Sequence, residues 1–133
     1  MARQTGQCHC GAIRLGFETI KPLAPRACQC SFCRKHGART VSDPQGSAEL
    51  TLGPETLRYR FGAKAADFLI CGRCGVYVGA LAEIDGRAHV TLNLNAFDDP
   101  LPDLVATPVS YDGEGAAAKA DRRRSRWTPV RLV

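Results

Sequence analysis

Seven cysteines fall in three close-spaced groups: Cys8-x-Cys10, Cys28-x-Cys30-x-x-Cys33 and Cys71-x-x-Cys74. Thiols at such spacing reach one ion, and in a reducing compartment they bind metal rather than each other. An odd count also leaves one cysteine over in any set of disulfides. Zinc takes four ligands at a structural site, and three plus an open position at a reactive one. Seven ligands therefore divide as four plus three. Cys8 and Cys10 precede a strand pattern and Cys71 and Cys74 follow one, so the two pairs can meet and close a four-cysteine site. Cys28, Cys30 and Cys33 can form a three-cysteine site alone, with a vacant position for a thiol, water or carbonyl. His36, three residues past Cys33, competes for that vacancy. As a fourth ligand it would make the second site structural. An iron–sulfur cluster uses the same ligand type and is the competing metal assignment. His9 and His89 read as surface or hydrogen-bonded histidines.

Strands must position these ligands. Ile13, Leu15 and Phe17 alternate with Arg14, Gly16 and Glu18, the period-2 pattern of a half-buried strand. Leu50 and Leu52 repeat it, as do Leu57, Tyr59 and Phe61, then Val76, Val78, Ala80 and Ala82, then Val90, Leu92 and Leu94. Phe68 to Ile70 leads directly into Cys71. Turns punctuate these runs at Pro44 to Gly46, Gly53-Pro54, Asp85-Gly86 and Asp98 to Pro100. A short helical turn is expected after Cys30, and one helix from about Glu114 to Arg126. Short strands at this spacing predict a mainly β chain, a sandwich or small folded sheet with a short C-terminal helix.

The 133 residues suit one domain with one modest core. No apolar run approaches the ~18 residues of a membrane span. Met1 to Gly6 lacks an apolar signal core, so a cytoplasmic location is expected. The formal charge is +5, and residues 1–117 balance to zero, with 12 basic and 12 acidic side chains. The whole excess sits in residues 118–133, where Arg122, Arg123, Arg124 and Arg126 cluster beside Trp127. Thiolates on two zinc ions would lower the total further, so the charge argues little for a nucleic-acid partner. A solvated face or loose tail is the plainer expectation for the cluster, and a phosphate-binding arm the alternative.

The three segments Cys8-His9-Cys10-Gly11-Ala12-Ile13-Arg14, Cys28-Gln29-Cys30-Ser31-Phe32-Cys33-Arg34-Lys35 and Cys71-Gly72-Arg73-Cys74-Gly75 resemble the glutathione-dependent formaldehyde-activating enzyme family, which includes the centromere protein V type. The resemblance spans roughly residues 3–100 and covers all seven cysteines in order. It implies zinc-bound, folded antiparallel sheets, a small β-sandwich or β-tent. It implies a zinc-binding β domain over 1–113, with a basic helix or tail over 114–133 packed on it or trailing from it. It further implies a structural zinc at Cys8, Cys10, Cys71 and Cys74 and a catalytic zinc at Cys28, Cys30 and Cys33, two ions per chain.

The activity it implies is that of a zinc-dependent carbon–sulfur lyase, adding a small thiol such as glutathione to an aldehyde such as formaldehyde to give S-hydroxymethylglutathione. Arg34 and Lys35, and Arg39 after them, follow the three-cysteine segment and are the candidates to hold the thiol's carboxylates. Two other functions compete: a zinc- and thiol-binding module without turnover, and a nucleic-acid-associated zinc protein using the Arg-rich end. The sequence contains no phosphate loop, dinucleotide fingerprint or Ser/His/Asp set in a fitting context.

Overall fold

The alternating segments become strands of one branched, mixed sheet. The structure, a computed structural model, describes residues 2–133. In chain order its elements are β1 (Ala2–Gln7), β2 (Arg14–Thr19), β3 (Arg26–Cys28), α1 (Ser31–His36), β4 (Thr40–Val41), β5 (Ser47–Thr51) and β6 (Thr56–Tyr59). There follow β7 (Asp67–Cys71), β8 (Tyr77–Ile84), β9 (Arg87–Asn93), a single 3-10 turn at Leu94–Ala96, β10 (Thr107–Val109), α2 (Ala116–Arg126) and β11 (Thr128–Leu132).

Strand β9 is the branch point. One edge pairs with β8 across the Asp85-Gly86 turn, whose two residues have φ of +55° and +77°, as a tight hairpin requires. The other edge divides. His89 and Val90 pair with β11, while Leu92 and Asn93 pair with β4. Three arms leave this hub: β11-β5-β2-β1, β4-β3-β10 and β8-β7-β6. The mainly β class and the late helix are as the sequence predicts. Two pairings, β5 with β11 and β3 with β10, are parallel. Each uses a strand after residue 100, beyond the span of the family resemblance.

Ile13, Leu15 and Phe17 of the first arm meet Leu69 and Val78 of another, with Leu50, Val90 and Leu92 between them, all buried. Each such side chain contributes roughly 1.5–3 kcal/mol on burial. Cys8 and Cys71 belong to this same core, at 1% and 2% exposure, so the core carries one metal-ligand group directly. Helix α2 has no side-chain N-cap and no acidic first turn, and eleven residues are marginal for an isolated helix. It is held from outside. Trp127, just past its end, packs on the small residues Ala66, Ala80 and Ala82. Arg124 pairs with Asp85 of the β8–β9 turn, and Arg122 makes a two-pronged bond to Glu114.

Candidate metal centres and the cavity beside them

The first centre joins two loops of nearly the same construction. In each, a cysteine N–H donates to the carbonyl five residues on: Cys8 to Ile13 and Cys71 to Val76, both at 3.0 Å. The turns close through Gly11 and Gly75, each at φ +83°, where a side chain would be strained. Backbone N–H groups point at sulfur: Ile13 N lies 3.2 Å from Cys8 Sγ, and Arg73 N lies 3.4 Å from Cys71 Sγ. The Cys74 N–H, and with it that of Arg73, holds the Cys71 thiol below its ordinary range against the effect of burial. The pairing Thr56↔Cys71 and the bond from Gly72 N to Glu55 O anchor the second loop to the third arm. The sulfurs of Cys8, Cys10, Cys71 and Cys74 all lie within 4.8 Å of one another. Cys8 and Cys10 are 3.8 Å apart, and Cys10 and Cys71 3.6 Å. A tetrahedron with metal–sulfur bonds of about 2.3 Å has edges of about 3.8 Å. The donor set therefore fits a four-coordinate soft metal.

The second centre is local. Cys28 ends β3, Cys30 caps α1 and Cys33 lies in its first turn. The cap is the thiol itself, for Cys33 N donates to Cys30 Sγ at 3.4 Å. Gly37, at φ +58°, closes the other end of the helix. The three sulfurs lie within 4.8 Å of one another. Cys28 is drawn below the usual thiol range by a hydrogen bond with Cys33, and the same bond, with burial, pushes Cys33 up. Such a set readily gives up a proton when a cation replaces it.

His36 does not join this cluster. It is exposed in the last turn of α1, with its ring 4.5 Å from that of Phe32 and 5.4 Å from that of Tyr77. His89 is buried, and its Nδ1 is 3.0 Å from the Arg87 carbonyl, the hydrogen-bonded histidine that the sequence suggests. His9 is exposed.

The three sulfurs line a cavity of about 180 Å³. The C-terminal segment contributes Tyr111, Lys119, Arg122, Arg123 and Trp127 to its wall. Phe61, Phe68 and Tyr77 form an aromatic side. Among the described residues, two buried polar side-chain atoms have no hydrogen-bond partner, Tyr77 Oη and Arg123 Nε, and both residues line this cavity. Burial pushes the Tyr77 phenol well up, and the neighbouring thiols add to it, so the group stays a donor. Arg123 is 9% exposed and lies over the Trp127 ring at 4.8 Å.

The basic residues picked out by sequence lie elsewhere. Arg34 and Lys35 are exposed in the last turn of α1 and are not among the cavity-lining residues. Arg39 is spent on the backbone, bonding the carbonyls of Pro100, Leu101 and Leu104 and the side chain of Asn95. Helical periodicity is the reason for the first two: positions 34 and 35 turn away from the face that carries Cys33. Arg122 and Arg123 are not a loose tail. Arg122 sits 3.6 Å over the Tyr111 ring while bound to Glu114.

The glutathione-dependent formaldehyde-activating enzyme family model matches residues 3–110. This chain belongs to that family. A crystal structure of a Rhodobacter sphaeroides protein matches with a TM-score of 0.60 at 28% identity, over 78% of this chain and 97% of that one. All seven cysteines lie inside the family match, and α2 and β11 lie beyond it. Tyr77, Arg26 and Lys119 went unnoticed in the sequence because their partners are distant in the chain, and Arg123 was marked only as one of a basic cluster. The one local signal was the Arg123–Trp127 pair, four residues apart and so on one helical face.

Proposed function

We propose that this chain is a zinc-dependent thiol-adduct enzyme of the carbon–sulfur lyase type, joining glutathione or a similar small thiol to formaldehyde. Cys28, Cys30 and Cys33 would hold the reactive zinc, and Cys8, Cys10, Cys71 and Cys74 a structural one, two ions per chain. The observation that carries the reading is that the three-thiol group lines a cavity while the four-thiol group is rooted in the core through Cys8 and Cys71 and lines none of the cavity. When bound to three thiolates, zinc offers a fourth position at which an incoming thiol loses its proton near neutral pH.

The protein's own groups do the rest. Phe61 and Phe68 give the cavity an apolar side, which favours the apolar part of a substrate over water. The substrate sulfur forms the carbon–sulfur bond as the carbonyl π pair moves to oxygen. Tyr77 Oη, a buried donor without a partner among the described residues, is available to that oxygen. The proton released by the thiol ends on the same oxygen, so addition neither consumes nor yields protons. Residues 114–133 serve as a wall of this cavity within the same domain. Free thiols in such number suit the cytoplasm.

The test is the rate of adduct formation from glutathione and formaldehyde above the uncatalysed background, with Cys30→Ser as control. An excess rate that Cys30→Ser abolishes supports the enzyme. Thiol binding without excess rate supports the non-catalytic module instead.

A further inference from the structure

We infer that Arg123, with Arg26 and Lys119, forms an anion anchor in the cavity, and that this anchor selects thiols carrying a carboxylate. As a statement about thiols it rests on the reading of Cys28, Cys30 and Cys33 as a thiol-binding centre. The anchor itself stands on separate observations.

Four cations and one acid, the exposed Asp112, line the cavity. One of those cations, Arg122, is already neutralised by Glu114. Arg26, Lys119 and Arg123 form no ion pair among the described residues. Arg26 is half-buried and meets only hydroxyls, Ser42 Oγ at 2.5 Å and Thr91 Oγ1 at 3.5 Å. Arg123 is more than nine-tenths buried, has an unsatisfied Nε, and has its guanidinium carbon 4.8 Å from the centre of the Trp127 ring. Burial and the charge of Arg122 both work against keeping Arg123 charged, and Glu114, already bound to Arg122, offsets them only in part. A guanidinium does not escape by losing its proton, so the position is costly until an anion fills it.

The guanidinium fork suits a carboxylate, which accepts two parallel hydrogen bonds. The three sulfurs and the α2 residues line one cavity of about 180 Å³, so a thiol whose sulfur sits at Cys28, Cys30 and Cys33 would bring a carboxylate carried on a short chain to the α2 wall. That wall lies outside the residues matched to the family. Arg123 and Lys119 therefore come from a segment that the family pattern does not specify, and Arg26 alone from inside it. Trp127 is the only tryptophan, so its emission reports on this spot alone.

The experiment titrates the zinc-loaded full-length protein with 3-mercaptopropionate, 2-mercaptoethanol and thiol-free succinate, by calorimetry and by Trp127 emission. The anionic thiol is expected to bind roughly tenfold more tightly than the neutral one, the worth of one hydrogen bond to a charged group. Arg123→Met is expected to bring that ratio near one, and Arg123→Lys to keep part of it. Should Arg123→Met fail to fold, Arg26→Met is expected to lower the ratio as well. Equal binding of the two thiols, or a ratio that survives in the folded Arg123→Met protein, overturns the anchor. If neither thiol binds but succinate moves Trp127 emission in the wild type and not in Arg123→Met, the thiol reading fails and the anchor stands. If the two thiols bind alike, and succinate binds equally to both proteins or to neither, the anchor fails and the thiol reading stands.

Discussion

The sulfurs of Cys10 and Cys71 lie 3.6 Å apart although 61 residues separate them in the chain. One belongs to the loop before β2, the other to the end of β7, so a metal there ties two arms of the sheet together. Metal binding at four-cysteine sites in small zinc domains is worth about 10–16 kcal/mol, as much as a whole domain's stability. Cys71→Ser is therefore expected to leave the chain largely unfolded. Cys30→Ser is expected to lose one zinc and stay folded, because its loop rests on α1 and the aromatic cluster rather than on the core. Metal analysis together with thermal unfolding checks both, with about two zinc per chain expected for the wild type. Similar unfolding curves for the two variants would sink the division into a structural and a reactive centre.

The cysteine grouping was legible because ligand chemistry acts over a few residues and coordination numbers are small integers. The strands of the core were legible for a like reason: Ile13, Leu15 and Phe17 alternate because one face is buried. Other elements leave no such trace. Strand β1 is polar, so no apolar alternation marks Arg3 to Gln7, although it pairs with β2 on one edge and bridges to Phe97 through Gly6 on the other. Strand β11 contains Pro129 and divides its pairing between β9 and β5. At β6 the alternation marked the strand but not its burial: Leu57 and Tyr59 are 55% and 50% exposed, since β6 pairs with β7 alone. The cavity wall was least legible. It depends on α2 folding back so that Arg123 meets a cavity otherwise lined by residues between 26 and 112, and local pattern does not encode that approach.

His36 gives a second prediction. Its ring packs at a tilt against those of Phe32 and Tyr77, outside the group of three sulfurs. His36→Ala is expected to keep both metal ions and to lose no more than about 1 kcal/mol, the scale of one aromatic contact. Zinc titration against a competing chelator checks this. Weakening of one site tenfold or more would make His36 a ligand and the second centre structural.

Asp43 predicts a pH dependence. Burial alone would raise its pKa, yet bonds from Thr19 Oγ1, the Gln45 N–H and Lys21 Nζ outweigh it and hold the carboxyl below its ordinary range. A folded-state pKa below the unfolded value of about 3.9 means that the ionised form favours the folded chain. The contribution is complete above that value and is lost as pH falls through the folded-state pKa. Asp43→Asn is expected to cost about 2 kcal/mol at pH 7, as bonds to a charged group do. That gap should hold down to about pH 5 and narrow below pH 4. Urea unfolding of both proteins across this range measures it, and loss of metal in acid cancels in the difference. A gap that stays constant to pH 3 would show that the charge is not what matters.

Arg39 separates a substrate-binding role from an architectural one. Its guanidinium bonds Asn95 Oδ1 at 2.8 Å and the carbonyls of Leu101, Leu104 and Pro100 at 2.9, 2.8 and 2.5 Å. The loop it grips contains Leu101 at φ +47°, a conformation that a leucine adopts only when its surroundings compel it. Four acceptors around a planar fork need the fork and not merely a positive charge. Arg39→Lys is therefore expected to destabilise the chain nearly as much as Arg39→Met, by about 2–3 kcal/mol. Limited proteolysis should then cut first between Pro100 and Leu104. Thiol affinity should be the same in both variants as in the wild type, because Arg39 does not line the cavity. A carboxylate-binding role would give the opposite pattern, with Arg39→Lys keeping most of the affinity for an anionic thiol, Arg39→Met losing it, and the loop resisting cleavage in both.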